Sequence, residues 1–319
     1  MAVYGWQGNA GVPAGDDPFA AARARLAARL ERERSTRPDV PGLDELIAEI
    51  GELHPLPAVA TKILQIGDDQ RFSAHELATI IASDQVLTSR LLRLANSAFY
   101  GAPRRIGTVR DAVVLLGFRA VHQVALASCM MASPARLTNM RYEEFWQFSV
   151  TTGLLCELLA RTEGAHEDAA FTAGVMHNVG LLALDQHRPD LLGEALTRAR
   201  ERGETLHQAE RALFGFNDTD LGGALAVHWN FPEELAKAVR EHSRTLDAPP
   251  ERGSLAAVVA RARIFARSYG LSDGLQERPD PVVPAPEWER APLAVTLERA
   301  GGLDQIVERA SAFLEAALR

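Results

Sequence analysis

From Pro41 onward apolar residues recur with a spacing near 3.6, with few interruptions. The run LTSRLLRLA puts Leu87, Leu91, Leu92 and Leu94 on one stripe, which suits a helix facing a core. Helix starts are marked by short polar residues that accept an orphan N–H while the residue three on reaches back. Such pairs are Ser73 with Glu76, Thr108 with Asp111, and Thr205 with Gln208. Asp84 reads as the N-cap of the LTSRLLRLA helix. Pro55 and Pro57 open a helix carrying Val59, Ile63 and Leu64, and Gly117 closes the one begun at Thr108. No alternating segments joined by an Asn-Gly or Asp-Gly turn announce strands. The pattern predicts an all-α protein.

Breaks in the pattern divide the chain. Residues 1–17 are Gly-rich and lack periodicity, and PFAAARARLAARLERERS follows as an Ala/Leu/Arg arm helix ending near Pro38. Periodicity lapses around residues 131–140 and again over 272–292, a span holding five prolines. It returns through Ile306, Ala310, Phe313 and Leu314. The predicted units are a tail and arm (1–40), a first helical subdomain (41–135), a second (136–271), and a Pro-rich linker with a helical tail (272–319).

An apolar content of 47% is enough for a sizeable core, and with aromatics at 6% that core is mainly aliphatic. The net charge of −8 excludes a molecule that coats nucleic acid over its whole surface. No uncharged apolar run is long enough for a membrane span, and the N-terminus lacks the pattern of a secretion signal. A cytoplasmic protein is expected. Cys129 and Cys156 lie in apolar stretches, as buried thiols would in a reducing compartment.

One stretch opposes the overall charge. Residues 85–122 carry Arg90, Arg93, Arg104, Arg105, Arg110 and Arg119 against Asp111 alone. Guanidinium forks suit carboxylates and phosphates, so this face is a candidate for an acidic protein partner or an anionic nucleotide. It equally suits a solvated helix face with internal ion pairs. Without dense Lys/Arg runs or interleaved aromatics, nucleic acid ranks last among its partners.

LRLANSAFYG (92–101), IIASDQVLTSR before it and IGTVRDAVVLLGFRAV after it resemble the HDOD family. These are helical bacterial signalling modules related to the HD metal-dependent phosphohydrolases. LHPLPAVATKIL, FWQFSV, FTAGVMHNVGLLAL, LGGALAVHWNFPEELAKAVREHS and VVARARIFA follow in the family's order, so the resemblance covers roughly residues 45–270. It implies an N-terminal helical subdomain packed on a degenerate HD-like one. Asn96 and Ser97, in the family-typical ANS, fit a helix end, where Asn tolerates the left-handed conformation and bonds local backbone.

In the HD relatives a His, an adjacent His-Asp pair and a later Asp hold divalent metal that activates water. Carried over by motif, the first His falls on Phe148, the pair on His177 and Asn178, and the final Asp on Arg263, with Arg261 the alternative. Asp218 stands where a further His is common in relatives, and His242 survives in REHS. His228 reads as a packing or helix-end residue. Phe donates nothing, Asn lacks the charge, and Arg puts a fixed cation where a metal would sit. The resemblance therefore implies no catalytic residues, no metal and no cofactor. His177, Asp218 and His242 remain either a remnant site or hydrogen-bonded core polar residues, with Arg263 held by partners such as Asn178 and Asp218.

Three functions follow from the resemblance. The first is a non-catalytic scaffold or output module acting on signalling proteins. The second is a sensor for a small nucleotide such as a cyclic dinucleotide, in the degenerate pocket or on the Arg-rich face. The third is a phosphohydrolase with a rebuilt site. The terminal helices are candidate docking or self-association elements, although the tail's apolar face would fit equally well on its own chain.

Overall fold

Capping sets where the helices start and stop. The computed structural model describes residues 40–53, 60, 62–63, 74–97, 100, 105–130, 137–164, 167–243, 253–276 and 280–318. The arm helix and the caps expected at Ser73, Pro55 and Pro57 lie outside the described residues. Asp84 accepts from the Leu87 N–H and caps α3 (Gln85–Ala95), and Thr108 accepts from the Asp111 N–H at the start of α4 (Val109–Leu116). Thr205 and Gln208 form the full reciprocal box at the start of α10 (Leu206–Phe214). A second box, Asn217 with Asp220, starts α11 (Asp218–His228). That one was not anticipated, because Asn217 sits in an otherwise loop-like GFNDTD.

Asn96 ends α3 as expected, through the bonds of its side-chain amide to backbone and without the left-handed conformation. Its backbone is not left-handed (φ −95°). Instead its amide donates to Leu92 O (2.6 Å) and Ile106 O (2.8 Å), and its Oδ1 accepts from the Ile106 N–H (2.8 Å). One side chain thereby closes the helix and clamps the approach to α4.

Residues 41–319 form one compact unit. Its axle is α6 (Tyr142–Glu163), buried on almost every side from Phe145 to Ala160. Around it pack α7 (Glu167–Met176), α13 (Leu255–Ser268), α14 (Leu293–Arg299) and α15 (Gly302–Leu318). α7 comes so close that a Cβ on Gly174 would lie 2.6 Å from Gly153 Cα, so this crossing needs two glycines. The N-terminal helices α2 (Ala74–Ala82), α3, α4 and α5 (Phe118–Met130) pack on one another, and α5 also touches α7. α8 (Val179–His187), α9 (Pro189–Arg202), α10, α11 and α12 (Glu233–Glu241) complete the second half, and α1 (Leu43–Leu53) packs on α11. No strand is present among the described residues; Met140 and Leu275 form an isolated antiparallel bridge.

Three anchors organise the connections. Asp185, fully buried on α8, accepts from the Thr138 and Asn139 N–H groups and from the Asn139 amide, fixing the loop before α6. Trp288 from the Pro-rich segment stacks on Phe265 at 4.1 Å. The tail helix α15 buries Ile306, Ala310, Phe313 and Leu314, packs on both α6 and α3, and receives the Gln147 amide at Val307 O. Of the two roles open to the tail's apolar face, packing on its own chain is the one observed.

Both thiols are buried, and burial raises their pKa, to about 12 for Cys129. Neither is expected to react with an aromatic disulfide reagent in the folded protein at pH 8, and both should do so in denaturant. A fast native phase seen by absorbance would contradict the burial.

Candidate functional site

The turn between α7 and α8 carries His177 and Asn178, and the α8–α11 crossing decides what faces them. Gly180 and Gly222 lie backbone to backbone there: a Cβ on Gly180 would fall 1.9 Å from Asp218 O and 2.5 Å from Gly222 N. This close approach brings the first residue of α11 beside the turn. α6 supplies Phe148, the residue after α12 is His242, and α13 supplies Arg263.

These residues share one buried neighbourhood. Phe148, His177, Asn178, Asp218 and His242 are at most 4% exposed and Arg263 is 8% exposed, which rules out a solvated face. The His177 ring centre lies 5.7 Å from that of Phe148 and 4.9 Å from that of His242, edge to face. His177 Nδ1 is 2.6 Å from Gly174 O and His242 Nδ1 is 2.8 Å from Val239 O. Because a carbonyl oxygen only accepts, those contacts place a ring proton on Nδ1 of each imidazole and turn Nε2 the other way. Asn178 precedes α8 without capping it, and its Nδ2 makes no hydrogen bond among the described residues.

Electrostatics distinguish the two arginines that the sequence left open. His242 is driven well below the usual imidazole range by burial first, then by His177 and the Arg263 guanidinium, while Asp218 opposes the shift. Arg263, buried on α13, therefore lies within electrostatic reach of His242. Arg261 turns outward, donating from Nε to Glu287 (3.0 Å) and from Nη1 to Glu163, and so ties α13 to α6 and the Pro-rich segment.

A histidine kept neutral in the fold has a definite pH signature. Unfolded His242 takes up a proton near pH 6.5 and the native residue does not. The stability it confers is full above that pH and is lost as pH falls below it, by up to about 1.4 kcal/mol per pH unit until the native pKa is reached. Urea unfolding at several pH values should show this loss, and His242→Gln should flatten it; equal slopes would refute it.

The Arg-rich stretch is less concerted. Arg90 is partly buried and donates to Ser128 O (3.1 Å), tying α3 to α5. Arg93, Arg105 and Arg110 are exposed, and Arg110 Nη2 lies 3.3 Å from His75 Nδ1. Arg104 and the side chain of Arg119 lie outside the described residues. Arg110 borders a cleft of about 560 Å³ walled by Thr79, Ser83, Thr88 and Thr108. His228 is exposed at the end of α11, a helix-end residue.

A second group beside the pocket escaped the sequence reading. His207 and Glu210 are three apart on α10 and face Asp218, with one ligand-type atom from each lying within 4.8 Å of the others. The spacing His-x-x-Glu with an Asp eight residues on was visible in the chain. What the sequence did not reveal was the tight Gly215 turn after α10, which brings the first residue of α11 to His207 and Glu210.

Comparison with known proteins identifies a family and a shared fold. The HDOD domain family matches residues 53–245. Two solved structures share the fold at TM-score 0.67. One is an HDOD domain protein of unknown function from Geobacter sulfurreducens (24% identical, covering 91% of this chain and 99% of that one). The other, from Marinobacter aquaeolei VT8, bears a name that proposes signal transduction (23% identical, covering 95% and 66%). A Shewanella amazonensis SB2B protein, whose name proposes a phosphohydrolase, follows at TM-score 0.64 (24% identical, covering 86% and 97%). An uncharacterized Treponema pallidum protein is 26% identical over 229 residues, 70% of this chain, which spans 44% of that protein's length.

Proposed function

Because the chain belongs to the HDOD domain family, we propose that it is a non-catalytic signal-transduction module, a cytoplasmic scaffold or output domain that acts through protein–protein contacts. The observation that carries this reading is the content of the pocket. Phe148 packs on His177, His177 on His242, and the buried Arg263 acts electrostatically on His242, where an HD phosphohydrolase needs donors for a divalent metal. A guanidinium in that place repels a dication, and the neighbouring phenyl ring offers no lone pair. The name of the Marinobacter protein points the same way. Signalling through such a module requires two arrangements of its helices, one of them favoured by the partner.

Elemental analysis after incubation with excess Mn²⁺ or Fe²⁺ tests the reading. We expect no metal whose retention depends on His177. A stoichiometric ion lost in His177→Gln would return the chain to the phosphohydrolases.

One feature supports the sensor reading as an alternative. The cleft bordered by Arg110 has hydroxyl-bearing walls and the size of a small-ligand site. Titration with a cyclic dinucleotide, compared between the native chain and Arg110→Ala, separates it from the scaffold reading.

A further inference from the structure

We propose that His207, Glu210 and Asp218 form a binding site for one divalent transition-metal ion, separate from the degenerate HD pocket and sharing only its Asp218 edge. The donor set is one imidazole and two carboxylates, a combination that suits Zn²⁺ and its first-row neighbours better than Mg²⁺ or Ca²⁺. Their ligand atoms already lie within 4.8 Å of one another, and His207 Nε2 is 2.8 Å from Asp218 Oδ1. Three donors each about 2.1 Å from a shared ion stand about 3 to 4 Å apart, so shifts of under about an ångström admit the ion.

The donors are preorganised. The Thr205–Gln208 box fixes the phase of α10, and with it the face shared by His207 and Glu210. The Asn217–Asp220 box does the same for α11, whose first residue is Asp218. Glu210 Oε2 also accepts the Asp218 N–H (3.2 Å), holding the helix start against the carboxylate. Glu210 is fully buried and Asp218 nearly so, whereas the His207 side chain is 22% exposed and gives the ion a way in. Two adjacent carboxylates in such a site repel each other, and a dication relieves that repulsion more fully than an imidazolium. Occupancy would cross-link α10 to α11 and fix the carboxylate that acts on His242, so the ion would act on the pocket from outside it.

The test uses the full chain, stripped with chelator, and Zn²⁺ in isothermal titration, with Co²⁺ as a spectroscopic probe. We expect one ion per chain, a visible Co²⁺ band typical of nitrogen ligation, and a raised Tm. His207→Gln, at the most exposed of the three positions, should keep its fold by circular dichroism, lose the Co²⁺ band, and weaken Zn²⁺ binding by more than about tenfold. Glu210→Gln should do the same. His177→Gln should leave both signals intact. No stoichiometric binding, or binding indifferent to His207→Gln, overturns the site. Binding abolished by His177→Gln but not by His207→Gln overturns both this site and the non-catalytic reading, so the two fail by different results.

Discussion

Gly180→Ala is expected to lower the free energy of unfolding by about 3 kcal/mol and the Tm by about 5 °C. An alanine in a helix is ordinarily worth up to about 1 kcal/mol more than a glycine, so propensity alone predicts the opposite sign. Space decides against it. The added methyl would sit 1.9 Å from Asp218 O, 2.5 Å from Gly222 N and 2.9 Å from Gly222 Cα. All three are backbone atoms, so no rotamer change relieves the clash. α8 and α11 would have to part by more than an ångström, taking Asp218 away from the HD pocket and from His207. Gly193→Ala is the control, since its Cβ would meet chiefly the Asn139 side-chain oxygen at 3.2 Å. That change should stay within about 1 kcal/mol of the native chain. Thermal unfolding of the two variants side by side gives the answer, and a Gly180→Ala protein as stable as its control would mean that the crossing is looser than described.

This crossing also marks how far the sequence could be read. Helix identity was legible, because each element carries its own apolar stripe and most carry a cap: Asp84, Thr108 and Thr205 are where the pattern put them. The convergence of His177, Asp218 and His242 was legible only through the family resemblance, since they come from different helices more than twenty residues apart. Long-range pairing between helices leaves no local signal. Gly180 and Gly222 look like ordinary helix glycines until the two backbones are seen together. The buried role of Asp185, near the end of α8, depends on the loop at Thr138 and Asn139 reaching back to it. The His207–Glu210–Asp218 group is hidden for the same reason: two of the three lie outside the family's metal positions, and only the turn at Gly215 brings them to Asp218. Arg261 and Arg263, two apart in one run, became distinguishable only when helix phase turned one toward Glu163 and Glu287 and the other toward His242.

Arg263→Leu should be the most costly single change in the pocket, at about 3 to 5 kcal/mol. Arg263 and Asp218, both buried, act on the His242 imidazole with opposite signs, so a positive and a negative charge lie within electrostatic reach of one ring. Removing the guanidinium takes a buried positive charge away from the neighbourhood of Asp218 and Glu210, leaving His207 Nε2, 2.8 Å from Asp218 Oδ1, as the contact at that carboxylate, and leucine offers dispersion but no counter-charge. Arg263→Lys keeps the charge and loses the planar fork, so it should fall between the two. Stability alone would not identify the cause, because a packing defect also costs a few kcal/mol. The His242 proton resonance separates the two cases. With the guanidinium gone, one of the forces depressing its pKa is removed, and its titration should move up toward the ordinary imidazole range in Arg263→Leu but not in Arg263→Lys. If Arg263→Leu is as stable as the native chain, or leaves that titration where it was, then Arg263 is not the internal counter-charge of the pocket. The place of the lost metal would then be filled by packing alone.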